Sequence, residues 1–415
     1  MLSHNRGAIS INLNMQNTHR FLWLIGLVVS SSLSPSSAHS QERVALPDKP
    51  MAIGQVLRVG ADRDIRTLRQ ASKIARDGDT IEVDPGDYEG DTAVWTQNEL
   101  TIRGIGARPR VLADGVNAAE GKGIFVLKGG DVTIENIGFF GARVRDRNGA
   151  GIRLERGKLK VVGCTFEGNQ NGILVSNNPA IELHVLDSTF LNNGAGDGKS
   201  HHLYAGAIAV LDVRGSYFGP ARIGHLLKSR AKVTSVFYNR LTGEGGTSSY
   251  EIDIPNGGDF KAIGNLVQQG NLSENRGMIS YGAEGYRWPT NHAQIVFNTL
   301  VNDRTKGGVF ITIRSGPAEA LISNNLLVGR GELEIKAPGT VTGNEQARPD
   351  DFVEPSKFDY RLRKGSKLLG TAGPAGTFSK ESRPASEYRH MAGSVDLGLT
   401  ELTPLSPGAF QRLAP

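Results

Sequence analysis

The sequence predicts an all-β chain wound as a single parallel β-solenoid, with a short helix closing its N-terminal end. Three observations predict it. A unit recurs: a β-rich stretch, one small or polar residue, then a second apolar stretch. It reads VTIEN-IGF at Asn136, LKVVGC-TF at Cys164, LHVLDS-TF at Ser188 and LDVRGS-YF at Ser216. It continues as TSVFYN-RL at Asn239, FKAIGN-LV at Asn265, QIVFN-TLV at Asn298 and LISNN-LLV at Asn325. The spacing is unequal, shortest between Ser216 and Asn239 and longest between Asn265 and Asn298, which suits a coil whose turns carry loops of different size. Inside this unit there is no 3.6-residue apolar spacing and no dense leucine consensus, so helical and leucine-rich repeats are excluded. The composition, with 53 glycines, 38% hydrophobic and 21% charged residues, is that of a folded chain rich in tight turns.

Residues 1–40 have the layout of a signal peptide. Arg20 closes a weakly basic start, residues 21–29 (FLWLIGLVV) form a short apolar run, and Ala38-His39-Ser40 is a small-x-small cleavage pattern. The run is too short to hold a bilayer as an anchor. An exported protein, secreted or periplasmic and without a stable membrane anchor after cleavage, is the expectation. Residues 41–55 read as a linker. In residues 65–79 (IRTLRQASKIARDGD), Leu68, Ala71, Ile74 and Ala75 share one helix face. Such a helix would plug an open solenoid end, where apolar core and unpaired backbone are exposed. The solenoid then runs over residues 56–345, with an earlier rung at Gly104 and a later one at Asn344, and an irregular tail occupies 346–415.

The marked position favours Asn, Ser or Cys. Asn tolerates left-handed dihedrals at a bend, and its amide can bond the equivalent amide one coil away. Asn239, Asn265, Asn298 and Asn325 are therefore expected to form a structural ladder, with Cys164 and Ser188 in the same column. Cys164 is the only cysteine, so no intramolecular disulfide can form.

The amphipathic stretch followed by GDTIEV and Pro85-Gly86-Asp87-Tyr88 resembles the N-terminal cap of the pectate-lyase-like β-helix superfamily. The tail resembles the ending of many secreted bacterial β-helix proteins through residues 358–362 (FDYRL), Gly365-Ser366, Leu369-Gly370 and residues 395–398 (VDLG). Over about residues 55–400 the resemblance implies a right-handed parallel β-helix of roughly ten coils, with the tail covering its C-terminal end, and work on an extracellular polysaccharide. The W-x-D-H and R-x-P-x-x-R motifs of pectate lyases are absent, as are the polygalacturonase and mannuronan-epimerase signatures, so no subfamily's catalytic residues carry over.

Solenoids place function on one long face. Four polar segments on consecutive coils are candidates: 196–204 (GDGKSHHLY), 224–230 (GHLLKSR), 249–258 (SYEIDIPNGG) and 280–288 (SYGAEGYRW). A uronate lyase must neutralise a carboxylate, remove the C5 proton and protonate the leaving oxygen. His202, Tyr204, His225, Lys228, Arg230 and Tyr250 supply every role: His202 or His225 as base or acid, Tyr204 as proton donor, Lys228 and Arg230 as carboxylate binders. His201, Glu251, Asp253, Asn256, Glu284 and Arg287 are candidate substrate contacts, with Tyr281, Tyr286 and Trp288 as a sugar-stacking platform.

The spacing from Ser216 to Asn239, applied to this face, would stack Lys228 on Glu251 and Arg230 on Asp253; counting from the asparagine column would instead put Glu251 above His225. Glu251 and Asp253, on one face of one strand, would suit an inverting glycoside hydrolase or an epimerase. A non-catalytic glycan binder is the alternative from another class. No dense acidic cluster marks a metal site; calcium, with Asp197 and Glu251 as available ligands, is the candidate cofactor. The formal charge of +5, or +3 without Arg6 and Arg20, gives no footprint for nucleic acid and suits an acidic polysaccharide as partner.

Overall fold

A computed structural model describes residues 54–113, 118–374, 376, 382–400 and 403–412. The signal-peptide and most of the linker assignments lie outside them. Among the described residues three parallel sheets of twelve, eleven and ten strands run the length of the molecule. Each coil contributes one strand to each in turn: Lys158–Val162 to the first sheet, Thr165–Glu167 to the second and Asn171–Val175 to the third. Inward residues of all three sheets meet in one continuous core. The rings of Phe139, Phe166, Phe190 and Phe218 stack through it with centroids 5.1, 4.8 and 4.5 Å apart.

The N-terminal helix is Leu68–Ile74, shorter than the predicted 65–79. Thr67 caps it, its hydroxyl accepting from Gln70 N, and Asp91 accepts the N–H groups of Leu68 and Arg69. The Asp79 carboxylate takes Arg76 N and Gln55 N, turning the chain into the strand Thr80–Val83 before another helical turn can form. Leu68 and Ala71 are fully buried, whereas Ile74 is half exposed and not part of the packed face.

The asparagine ladder is present. Asn239, Asn265 and Asn298 each donate from Nδ2 to the next Oδ1, at 3.0, 2.9 and 3.0 Å, and Asn325 donates to Asn344 at 2.8 Å. The Ser188, Ser216 and Asn239 side chains extend it backward, accepting the backbone N–H of Cys164, Ser188 and Ser216. The left-handed residue, however, is the one before the ladder. Gly163, Asp187, Gly215, Tyr238, Gly264, Phe297, Asn324 and Gly343 all have φ between 49° and 67°. Asn136 belongs to that column, at φ 52°, and the ladder position in its coil is Ile137. Separating the two tasks leaves the ladder amide on ordinary backbone, aimed along the solenoid.

The tail departs from expectation. Among its described residues it lies along the outward face of the second sheet and the adjoining edge of the first, rather than across the C-terminal end of the coil. Phe352, Tyr360 and Leu362 pack on outward Leu266, Val301, Leu326 and Val328, and Leu405 packs against Phe237, Tyr238, Phe297 and Leu321. These outward apolar side chains in the later coils need cover, and the tail supplies it. At the coil's end Val341 stays half exposed.

Candidate functional site

The site is set by register in the third sheet. Its strands Ala150–Leu154, Asn171–Val175, Leu203–Ala205, Leu227–Ser229, Ile252–Ile254 and Gly277–Tyr281 are neighbours in that order. Pairing aligns Arg153, Leu174, Tyr204, Lys228, Asp253 and Ser280 in a single outward column. Side chains alternate across a strand, so Leu227, Ile252 and Ile254 fill the core while Lys228 and Asp253 face out.

Neither predicted register holds, because the strand partner of Lys228 is Asp253, with Nζ 2.9 Å from Oδ2. Glu251 falls opposite core-facing Leu226, not above Lys228 or His225, and is completely buried. It accepts from Ser248 Oγ and Gln269 Nε2 at 3.4 Å, and burial pushes its carboxyl well above the usual range. Glu251 and Asp253 do not share a face, so they cannot flank one scissile bond.

A second column runs beside the first. His201 and His225 stack at 4.7 Å, and Tyr250 follows at 5.3 Å. His201 Nδ1 accepts His225 N, and His225 Nδ1 accepts Tyr250 N, at 3.0 and 3.2 Å. These bonds place each ring proton on Nε2. Burial, then the charge of Lys228, holds His225 down to about 3; burial and the neighbouring His225 hold His201 well below its ordinary value. Both rings are therefore neutral N–H donors rather than bases. His225 Nε2 lies 3.5 Å from Asp253 Oδ2. Burial raises the Asp253 carboxyl, with Lys228 opposing the rise.

Arg230 closes the arrangement. Its Nε donates to Tyr204 Oη at 2.9 Å, and Nη1 donates to Asn256 Oδ1. Nη1 also lies 2.8 Å from Glu284 Oε2, while Lys228 Nζ is 3.4 Å from Glu284 Oε1. Glu284 is thus gripped by both cations although its side chain is 47% exposed; the Arg230 hydrogen bond, followed by Lys228, lowers its carboxyl below the ordinary value. Trp288 Nε1 donates to Arg230 O at 3.1 Å, which ties the 282–288 loop to the sheet. Tyr204, Arg230, Asn256, Glu284, Arg287 and Trp288 line an open cleft of about 520 Å³ together with Asn177 and Ala207.

Besides Glu251, three predicted site residues lie elsewhere. His202 is fully buried beside Phe190 and Phe218, with Nδ1 taking Asn193 Nδ2 and Nε2 donating to Gly219 O, and burial brings it to about 4. It follows His201 immediately in sequence and so faces the opposite way. Tyr281 is a core residue whose hydroxyl donates to Gly258 O. Tyr286 packs on Tyr281 and donates to Arg314 O, covering the loop instead of offering a free ring face. Of the aromatic platform, Trp288 alone borders the cleft. Asp197, named as a calcium ligand, is used by Ser200 Oγ and the N–H groups of Lys199 and Ser200, apart from Glu251. Among the described residues no three His, Cys, Asp or Glu side chains gather as a cation site. Sequence reasoning missed Asn177 and Ala207, which reach the cleft through register alone.

Residues 75–212 match the family described as right handed beta helix region. A PL6 alginate lyase solved in complex with a trisaccharide is similar at 14% identity, over 77% of this chain and 68% of that one, with a TM-score of 0.33. The pectin methylesterase from Aspergillus niger is similar at 12% identity, over 55% of this chain and 88% of that one, with a TM-score of 0.23. A search of curated proteins gives no match. The three parallel sheets, with the family match over residues 75–212, show a right-handed parallel β-helix fold.

Proposed function

We propose that this is an exported, polysaccharide-active protein, secreted or periplasmic, and that it cleaves a uronate-containing glycan by β-elimination. The observation that carries the reading is Glu284. Lys228 and Arg230 already hold a carboxylate between them, on a half-exposed side chain at the edge of an open cleft. A sugar carboxylate displacing Glu284 would meet the same two cations, with Arg230 offering a planar fork.

Neutralising that carboxylate makes the C5–H more acidic. Tyr204 is the proton carrier: its oxygen, which accepts the Arg230 N–H at 2.9 Å, would take the C5 proton once it has given up its own. The electron pair left at C5 forms the C4–C5 double bond as the C4–O bond breaks, and the Tyr204 hydroxyl returns the proton to the leaving oxygen. His201 and His225 serve as N–H donors to sugar hydroxyls, and Asp253 orients Lys228. The hydrolase alternative loses its Glu251/Asp253 pair, because Glu251 faces the core.

The test is to incubate the purified protein with a panel of acidic polysaccharides, with and without calcium, and follow ultraviolet absorbance of the unsaturated uronate. A rise on one polymer, abolished by Tyr204→Phe, supports the mechanism. New reducing ends without absorbance would replace elimination by hydrolysis. Binding without either product would leave a glycan-binding protein.

A further inference from the structure

Arg153 occupies the same outward column as the proposed site and is poorly satisfied where it stands. Ile152 and Leu154 on either side of it are core residues, so alternation turns Arg153 outward. Its Nη2 donates to Ser176 Oγ at 3.2 Å, while Nε is buried without a hydrogen-bond partner. Among the described residues no carboxylate forms an ion pair with it. Glu155, the nearest acid by its electrostatic effect, is instead bridged to Lys122 at 2.6 Å. Burial lowers the Arg153 guanidinium from its ordinary value. A partly desolvated, unpaired cation is costly unless an anion joins it.

Its position says which anion. Three inter-strand steps, through Leu174 and Tyr204, separate Arg153 from Lys228. At the spacing of neighbouring strands that is about 14 Å. The path follows the proposed cleft: Ser176, which Arg153 touches, precedes Asn177 on the cleft's rim.

We infer that Arg153 is a distal subsite that binds a second carboxylate of the same glycan chain, so that the ligand is a polyanion carrying acidic groups on sugars several residues apart. This rests on the uronate reading of the Lys228–Arg230 site and adds a length requirement to it. One chain bound at both points lies along the solenoid axis, and its far end gains affinity as an intramolecular event.

The experiment is calorimetric titration with oligogalacturonates and alginate oligosaccharides, each as disaccharide and octasaccharide, at fixed low salt. Wild-type protein is expected to bind one octasaccharide more tightly than its disaccharide. Arg153→Ala and Arg153→Gln are expected to weaken the octasaccharide about tenfold, the loss of one charge-assisted hydrogen bond, and leave the disaccharide unchanged. If the wild type prefers the octasaccharide and neither variant alters that preference, or both lengths weaken equally, the subsite is wrong while the uronate reading stands. If wild-type protein binds none of the four saccharides, the uronate reading fails and the subsite with it. Arg153→Gln keeps a donor to Ser176, so a folding defect in the alanine variant does not decide the matter.

Discussion

Replacing Asn298 by alanine tests what holds successive coils in register. Asn298 is fully buried at the centre of the ladder. Its Nδ2 donates to Ala262 O, Val296 O and Asn325 Oδ1, and its Oδ1 accepts from both Asn265 N and Asn265 Nδ2 at 2.9 Å. Truncation therefore leaves the Asn265 backbone N–H and one Asn265 Nδ2 hydrogen buried without an acceptor, while Nδ2 keeps Val236 O. At about 1 kcal/mol net for each bond lost, and more for each stranded buried donor, the expected cost is about 3–5 kcal/mol. Asn344, at the half-buried end of the same ladder, accepts from Asn325 N and Nδ2 and donates to Ile322 O, so its alanine variant should cost only about 1–2 kcal/mol. The assay is urea denaturation with the slope held constant between variants, because a solenoid that loses cooperativity would change the slope. Asn298→Asp, which keeps the acceptor, should fall between alanine and wild type. If Asn298→Ala costs less than about 1 kcal/mol, or no more than Asn344→Ala, the ladder does not carry the register and the argument fails.

Four further outcomes follow from the site and the interior. Glu284→Gln frees Lys228 and Arg230 of their internal carboxylate and should tighten binding of an acidic oligosaccharide; weaker or unchanged binding would show that Glu284 does not stand in the substrate's place. Glu251→Gln should stabilise the protein at neutral and alkaline pH. The native carboxyl is raised, so the wild type loses stability as pH climbs above about 4.5, by about 1.4 kcal/mol per unit up to the folded value. Stability curves of the two proteins that run parallel from pH 5 to 8 would contradict this. Acid sensitivity runs the opposite way for the buried histidines: His202 and His225, at about 4 and 3, give stability that is complete above about pH 6.5 and is lost as pH falls toward those values. Proton NMR of both rings should show no midpoint between pH 5 and 8, and one for His225 in that window would undo its neutral-donor role. His202→Gln should lower stability yet leave glycan binding intact, since the ring never reaches the cleft; a selective loss of binding would return His202 to the site.

The coil was legible because its strongest signal is local. A ladder residue sits between two apolar stretches, and its identity is restricted by contacts to the coils on either side. The left-handed residue before it was not legible, because the position holds Gly, Asp and Asn but also Tyr238 and Phe297. An aromatic residue there bears strain of about 1–2 kcal/mol, and the reason lies far away in sequence: both rings join a cluster with Leu405 of the tail, and Ala385 N donates to the Tyr238 hydroxyl. The tail's resting place along the second sheet was hidden for the same reason. Outward Leu266 and Leu326 look like any strand residue until the segment that covers them is known.

The candidate cleft was legible in part of its lining and not in its arrangement: Tyr204, Arg230, Asn256, Glu284, Arg287 and Trp288 border it, whereas Glu251, His202 and Tyr281 are buried away from it. Alternation within a strand needs only the sequence, and it correctly turned Lys228 and Arg230 outward. Stacking between strands needs the loop length of each coil, which a repeat with unequal steps leaves free. A small error in one step put Glu251 rather than Asp253 opposite Lys228. The same freedom explains why Arg153 carried no signal: its distance from Lys228 is the sum of three unequal steps, through Leu174 and Tyr204. Loops that vary in length while the strands between them keep register allow a solenoid to change which side chains meet on its face without disturbing its core. Among the described residues the core columns are mostly apolar, with buried Ser229 and Thr234 hydrogen-bonded to each other inside them, whereas the outward column passes from Arg153 through Leu174 and Tyr204 to Lys228 and Asp253. Function on such a scaffold is therefore decided by the turns, and the register of the 204–284 coils is what brings one carboxylate, Glu284, under two cations.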